Sequence, residues 1–145
     1  MATDRRADVK WQGSLMEGSG TIRSTTSGKL GEQKVSWPNR AEDNPDATSP
    51  EELIAAAHAA CFSMALSHAL AQAGNAPDEL NTSATVTFQP GEGITKIALA
   101  VEGTVPGIDE TAFEEAARTA KENCPVSKAL AGVPEITLDA RLAAA

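Results

Sequence analysis

Tyrosine is absent from this sequence of 145 residues, and the other aromatic residues amount to two tryptophans and three phenylalanines. Because the large aromatic side chains that usually fill a core are scarce, alanine, valine and leucine must do most of the packing. Basic residues are also in deficit: 12 Lys and Arg stand against 20 Asp and Glu, for a formal charge of −8. Nucleic acids and anionic membranes are bound by clustered Lys and Arg, so the charge argues against both as partners.

Cysteine is almost as rare, with only Cys61 and Cys124 in the chain. The first ten residues, MATDRRADVK, lack the apolar segment of a signal peptide, which predicts a cytoplasmic location. In a reducing compartment, two cysteines 63 positions apart are typical of catalytic or free thiols rather than of a structural disulfide. The one long apolar stretch, residues 53–71, is mostly alanine and is a poor match to a membrane span. The length predicts a single domain over residues 1–145.

Hydrophobic periodicity predicts strands before, between and after two main helices. The predicted strands are two within 8–26 around a turn with Gly18 and Gly20, one near Val35, and three at 83–89, 94–105 and 135–142. A loop after the third strand carries Arg40. An amphipathic helix capped by Asp109 is predicted over 109–123, followed by a short helical turn at CPVSKALAG. This order indicates an α+β fold with largely antiparallel sheets.

The clearest element is a long helix predicted over residues 50–73. Ser49 as N-cap, Pro50 at the first helical position and Glu52 at the third form a capping box, and Gly74 ends the helix. At ~1.5 Å rise per residue the helix is about 36 Å long, close to the whole width of a domain of this size. It is apolar nearly all round, so we expect it to be buried on most sides. One small domain can hardly cover such a helix, which favours a second subunit.

Two cysteines and two histidines are the first candidates for chemistry. Cys124 precedes a proline, so its thiol lies near a helix N-terminus, where the positive end of the dipole favours a thiolate. Burial in mid-helix raises the pKa of the Cys61 thiol instead, unless a cation is brought in from elsewhere. The alternative for each cysteine is a structural role without chemistry: Cys124 as a small residue at a cap position, and Cys61 as a small buried hydrophobic residue. His58, three residues before Cys61, suggests a Cys–His dyad, and His58, Cys61, His68 and Cys124 suggest a metal site, but a packed or hydrogen-bonded histidine is the ordinary interpretation.

Two charged residues upstream are further candidates. Glu51, unlike Glu52, has no part in the capping box, and Arg40 is the nearest cation in the sequence. A glutamate that compensates the helix dipole and a solvated loop arginine are the simpler explanations.

Two segments carry a family resemblance. Residues 49–66, SPEELIAAAHAACFSMAL, and residues 122–130, ENCPVSKAL, closely resemble the OsmC/Ohr family of osmotically inducible and organic hydroperoxide resistance proteins. The first segment is similar to the OsmC branch rather than the Ohr branch. The likeness extends from the strand around Trp11 to the terminal EITLDARL, and it therefore covers nearly the whole chain.

The resemblance implies a thiol-dependent peroxidase for organic hydroperoxides, and an intertwined homodimer with sites at the subunit interface. It implies that Cys61 is the peroxidatic cysteine and Cys124 the resolving one, joined in a disulfide during turnover. By position it assigns Arg40 to stabilise the thiolate and the peroxide, and Glu51 to orient Arg40. No metal or other cofactor is required, and an external dithiol, on a lipoyl protein or thioredoxin, reduces the disulfide.

Helix geometry adds a constraint to these roles. Ten residues separate Glu51 from Cys61, which places them about 15 Å and 80° apart on a straight helix. We therefore expect Glu51, with Arg40, to reach the Cys61 of the other subunit. The neighbouring alanines, with Phe62 and Met64 as walls, predict an apolar pocket suited to an alkyl or lipid hydroperoxide. Two alternatives are a redox sensor that uses the same cysteine pair and a non-catalytic dimer that binds a small ligand.

Overall fold

The computed structural model describes residues 1–42 and 46–144. The strands are β1 (Ala7–Gln12), β2 (Ser19–Thr25), β3 (Gln33–Val35), β4 (Glu79–Gln89), β5 (Gly93–Thr104) and β6 (Glu135–Leu142). The helices are α1 (Trp37–Ala41), α2 (Pro50–Gln72), α3 (Glu110–Asn123) and α4 (Pro125–Ala129). The chain divides into two compact units, Met1–Leu53 and Ile54–Ala145, with the boundary inside α2. The single domain over 1–145 stays a prediction.

The first unit is built on a three-stranded sheet in the order β1–β2–β3, with both pairings antiparallel. The prediction that Arg40 lies in a loop is wrong, because Arg40 belongs to the short helix α1. Ser36 caps this helix by accepting a hydrogen bond from the Asn39 N–H. Residues 43–45 of the predicted loop lie outside the described residues. The chain then returns to β3, where the Thr48 N–H donates to the Lys34 carbonyl at 2.9 Å.

The second unit contains a three-stranded sheet in the order β4–β5–β6. β4 and β5 form the predicted antiparallel pair, but β6 runs parallel to β5, with Ile97 opposite Ile136 and Leu99 opposite Leu138. Parallel neighbours require a crossover connection, and α3 and α4 supply it between β5 and β6. The α+β fold with mainly antiparallel sheets is thus confirmed, with β6 as the exception.

Helix α2 begins at the predicted residue and ends one residue earlier than predicted. The Ser49 Oγ accepts a hydrogen bond from the Glu52 N–H at 3.1 Å, as the predicted cap requires. The Glu52 carboxylate accepts from the Thr48 hydroxyl at 2.8 Å, where the capping box predicted a bond to the Ser49 N–H. The start of α2 is therefore fixed by both residues that precede it.

Within one chain, only one stripe of α2 is buried. Its buried residues are Glu51, His58, Phe62, Leu66 and Leu70. The exposed residues include Ala57, Ala60, Met64, His68 and Ala71. A single chain therefore leaves much of α2 uncovered, as its length and composition predict, and burial of the other sides by a second subunit stays a prediction. By length and mean hydropathy (1.5 over its most apolar window) α2 would also suit a membrane span, a property that core helices of soluble proteins share.

The core of the second unit lies between α2, α3 and the sheet. Its buried members are Phe62, Leu66, Leu70, Leu99, Val101, Val105, Phe113, Ala117, Ala120 and Cys124. Helix α3 begins as predicted, because the Asp109 carboxylate accepts from the Ala112 N–H at 2.8 Å. Cys124 is thus a core residue, and Cys61 packs against the same cluster while remaining partly accessible.

Gly103 of β5 provides a test of this packing. A Cβ at this position would lie 2.5 Å from the Phe113 Cε1 and 2.6 Å from its Cζ, and the Phe113 ring is fully buried. We expect Gly103→Ala to lower the free energy of unfolding by about 1–3 kcal/mol, the usual cost of an overpacked core, in urea denaturation. Gly132→Ala is the matched control, because a Cβ there meets nothing within 4 Å. Equal stability of the two variants would contradict this description of the core.

Candidate functional site

The two cysteines meet in the second unit. Cys61 lies near the middle of α2, and Cys124 lies between α3 and α4, ending the first helix and capping the second. Both are free, Cys61 packs against the buried cluster that includes Cys124, and each thiol acts on the pKa of the other. The packing of α2 against α3 therefore closes the 63-residue gap between the thiols.

The two thiols differ in accessibility. Cys124 is fully buried, with 0% of its surface exposed, whereas Cys61 is of intermediate exposure. A small molecule from solvent therefore reaches the Cys61 sulfur first. Cys124 lies in the protein interior, in the cluster against which Cys61 packs.

The two thiols also differ in acidity. Burial acts to raise the pKa of Cys124, but the Ser127 N–H, the Cys61 thiol, the Ser127 hydroxyl and the Val126 N–H together hold that pKa below its usual value. The thiol makes no cap hydrogen bond of regular geometry. Even so, the first N–H groups of α4 lie close enough to favour its anion. The expectation that Cys124 tends toward a thiolate agrees with this arrangement.

Burial raises the pKa of the Cys61 thiol, the Val126 N–H partly offsets this, and Cys124 raises the pKa further. Neither of these two neighbours is a cation. Within the second unit, then, negative charge is favoured on Cys124 and disfavoured on Cys61.

His58 lies one helical turn before Cys61, and its imidazole is fully buried. The His58 Nε2 lies 2.7 Å from the Ser127 Oγ, and the His58 Nδ1 is buried with no hydrogen-bond partner among the described residues. Burial lowers the pKa of His58, so the imidazole is neutral at pH 7. The ordinary interpretation of a packed, hydrogen-bonded histidine fits this geometry. The described residues contain no group of three or more potential ligands that could hold a metal ion.

Ser127 is the residue that sequence reasoning missed. It stands at the third position of α4, three residues after Cys124, and is buried. The spacing in CPVS carried the signal, because a side chain at the third position of a helix faces the N-cap residue. The sequence gives no sign, however, that the side chain of His58 on α2 contacts Ser127.

The first unit brings together Arg40 and Glu51. The Arg40 Nε donates to the Glu51 Oε1 at 3.0 Å, and the exposed fractions of the two side chains are 35% and 8%. The Glu51 Oε2 is buried without a hydrogen-bond partner among the described residues. Glu51 is therefore more than a dipole-compensating surface residue, since it holds the guanidinium by an ion pair.

The two predicted pocket walls differ in burial. Phe62 is a fully buried core residue, whereas Met64 is 71% exposed. Met64 lines an open groove of about 560 Å³ together with Ser67, His68 and Leu80. Contact of these residues with a substrate stays a prediction.

The fold and the site define an α+β protein that carries two adjacent free thiols, one accessible and one buried. The chain belongs to the OsmC family, because residues 42–139 match the family model described as OsmC-like protein. It is 46% identical over 145 residues to Peroxiredoxin OsmC of Escherichia coli (strain K12), covering 98% of this chain and 99% of that one. The family resemblance inferred from the two cysteine segments is thereby confirmed.

Ohr proteins are also similar. Organic hydroperoxide resistance protein OhrB of Bacillus subtilis (strain 168) is 30% identical over 106 residues, which cover 72% of this chain and 78% of that one. Among solved structures, an organic hydroperoxide resistance protein from Elizabethkingia anophelis matches with a TM-score of 0.70 and 25% identity. That match covers 99% of this chain and 100% of the other, so the shared fold includes both sheets.

The buried imidazole predicts a pH-dependent stability. Because the pKa of His58 is lowered on folding, the unfolded chain binds more protons below the ordinary value of about 6.5. The free energy of unfolding therefore decreases as the pH falls from 7.5 to 5.5, by at most about 1.4 kcal/mol per pH unit for one proton. We expect His58→Gln to reduce this decrease in urea denaturation at the two pH values. His68→Gln, which removes an exposed histidine, is the control and should leave the pH-dependent decrease in the free energy of unfolding unchanged. If His58→Gln also leaves this decrease unchanged, His58 is not its source.

Proposed function

We propose that the protein is a thiol-dependent peroxidase that reduces organic hydroperoxides through Cys61 and Cys124. The observation that carries the proposal is the contact between an accessible thiol and a fully buried one. The names of the similar proteins, a peroxiredoxin in Escherichia coli and an organic hydroperoxide resistance protein in Bacillus subtilis, support the same activity.

The chemistry has three steps. The Cys61 thiolate attacks the hydroperoxide O–O bond, an alcohol leaves after taking up a proton, and Cys61 becomes a sulfenic acid. Cys124 then attacks the Cys61 sulfur, so that an S–S bond forms and the sulfenic oxygen leaves as water. An external dithiol, on a lipoyl protein or thioredoxin, restores both thiols by exchange. These steps need no metal, haem or flavin.

The first step requires a positive charge near Cys61. Burial raises the pKa of the Cys61 thiol within its own unit. A guanidinium close to the sulfur would attract the thiolate and so offset the cost of ionising Cys61. The Arg40–Glu51 pair is a suitable source because Glu51 is buried and fixes the guanidinium. Helix spacing sets Glu51 about 15 Å from Cys61 along α2, so we place the pair in the site of a second subunit.

The exposed side of α2 supports such a dimer. Ala57, Ala60 and Ala71 are small and exposed beside Met64, and small residues permit close helix approach. Two copies of this face would enclose an apolar space beside Cys61. That lining suits the organic part of an alkyl or lipid hydroperoxide better than hydrogen peroxide.

The cysteine roles are tested with cumene hydroperoxide and dihydrolipoamide as reductant. We expect Cys61→Ser to lower the turnover rate more than about 100-fold, because this variant lacks the attacking sulfur. Cys124→Ser should consume one equivalent of hydroperoxide and accumulate a sulfenic acid on Cys61, which dimedone traps and mass spectrometry locates. Ser63→Ala, two residues from Cys61 on α2, is the control and should retain turnover.

Three results would contradict the proposal. A dimedone adduct on Cys124 in the Cys61→Ser variant would reverse the roles of the thiols. Stoichiometric disulfide formation without turnover would favour the redox sensor, and no oxidation at all would favour the non-catalytic ligand-binding dimer.

The composite site is tested with mixed dimers, in which a Cys61→Ser chain and a Glu51→Ala chain carry different affinity tags. If Glu51 acts on the partner's Cys61, one of the two sites loses both groups and the other keeps both. We therefore expect about half of the wild-type turnover from the purified mixed dimer. Homodimers of either variant serve as controls and should be nearly inactive. A mixed dimer as inactive as these homodimers would place both groups in one subunit and overturn the arrangement.

A further inference from the structure

A second pair of residues flanks the thiol pair on the same two helices. His58 lies three residues before Cys61 on α2, and Ser127 lies three residues after Cys124, on α4. The two buried side chains meet at 2.7 Å between the His58 Nε2 and the Ser127 Oγ. The Ser127 hydroxyl also acts on the Cys124 sulfur. His58 thus contacts Ser127, Ser127 stands one helical turn after Cys124 at the start of α4, and Cys61 packs against the cluster that contains Cys124.

We propose that Ser127 and His58 are positioning residues for the resolving step: the Ser127 hydroxyl donates to the Cys124 sulfur, and His58 holds that hydroxyl in place. This inference rests on the proposed peroxidase function, in which Cys124 attacks oxidised Cys61. The hydrogen bond favours the thiolate of Cys124, which is the nucleophilic form.

The direction of the hydrogen bonds follows from the number of protons. A serine hydroxyl has one proton, and if that proton is donated to sulfur, the Ser127 Oγ must accept from His58. The neutral imidazole then carries its single proton on Nε2, which leaves Nδ1 as a bare lone pair. This tautomer fits the buried His58 Nδ1, which has no hydrogen-bond partner among the described residues.

The proposed step is balanced without a further reagent. The Cys124 thiolate attacks the sulfenic sulfur of Cys61, an S–S bond forms, and the S–O bond breaks. The leaving hydroxide takes a proton from solvent and becomes water. Cys124 is oxidised and the sulfenic sulfur is reduced to the disulfide level.

Besides the Ser127 hydroxyl, the Ser127 N–H, the Cys61 thiol and the Val126 N–H also lower the pKa of Cys124, and Ser127→Ala leaves all three in place. The titratable groups that act on Cys124 are the Cys61 thiol directly and the His58 imidazole through Ser127. The charged side chains closest in sequence, Lys121, Glu122 and Lys128, all remain at least partly exposed. Removal of the serine hydroxyl therefore isolates the proposed interaction.

The first test measures the ionisation of Cys124 alone, by thiolate absorbance at 240 nm against pH in the full chain carrying Cys61→Ser. We expect Ser127→Ala and His58→Leu each to raise the pKa of Cys124. His58→Gln retains an N–H donor near the position of Nε2 and should leave the pKa close to that of the parent. Ser63→Ala, which removes a hydroxyl that contacts Thr82 and the Ala59 carbonyl, should also leave it unchanged. An unchanged pKa in both Ser127→Ala and His58→Leu would overturn the proposal.

The second test measures disulfide formation in the two-cysteine protein after one equivalent of cumene hydroperoxide. At pH values below the pKa that the absorbance titration gives for Cys124, we expect Ser127→Ala to slow this step several-fold. Above the pKa the difference should vanish or reverse, because a more basic thiolate is the better nucleophile. A merely structural defect would slow the step at every pH, and that result would overturn the proposal. The absorbance titration needs no peroxidase activity, so failure of the proposed function would be recognised separately.

Discussion

The contact between Cys61 and Cys124 is the interaction on which the rest of the site depends. It exists because α2 presents Phe62 and Leu66 to the same core that buries Phe113 of α3. Cys124 follows α3 directly, so the residue that ends this helix is carried to the middle of α2. A shift of α2 along α3 by one turn would separate the sulfurs by about 5 Å without altering either cysteine.

The same packing gives the two sulfurs unequal chemistry. The N-terminus of α4 supplies the Ser127 and Val126 N–H groups and the Ser127 hydroxyl to Cys124, but only the Val126 N–H to Cys61. A buried thiolate on Cys124 is suited to attack a neighbour but is closed to solvent. An accessible thiol on Cys61 is suited to meet a hydroperoxide but lacks a charge of its own to favour ionisation. The proposed division of roles therefore agrees with the positions of the two cysteines on the helices.

Sequence reasoning predicted the long elements well, because their signals are local. Ser49 and Pro50 mark the start of α2, and alternation marks β4, β5 and β6. It failed for α1, since five residues are too few for a helical period to show. The parallel pairing of β6 was also missed, because alternation reports which face is buried and not the direction of the neighbouring strand. The thiol pairing came from the family resemblance, and Ser127 was overlooked because its partner, His58, is 69 residues away.

Among the described residues, no cation contributes to the pKa shift of Cys61, and this is the strongest physical argument for the proposed dimeric site. A single backbone hydrogen bond contributes about 0.5–1.5 kcal/mol, which is modest against the cost of burying a thiolate. A guanidinium 4 Å from the sulfur would contribute about 4 kcal/mol at an effective dielectric constant of 20, equivalent to about three pKa units. The Arg40–Glu51 pair has no net charge, so it stabilises the thiolate only if the guanidinium faces the sulfur and the carboxylate lies behind. Glu51 is buried and accepts a hydrogen bond from the Arg40 Nε, so in the proposed site it would hold the guanidinium in such an orientation.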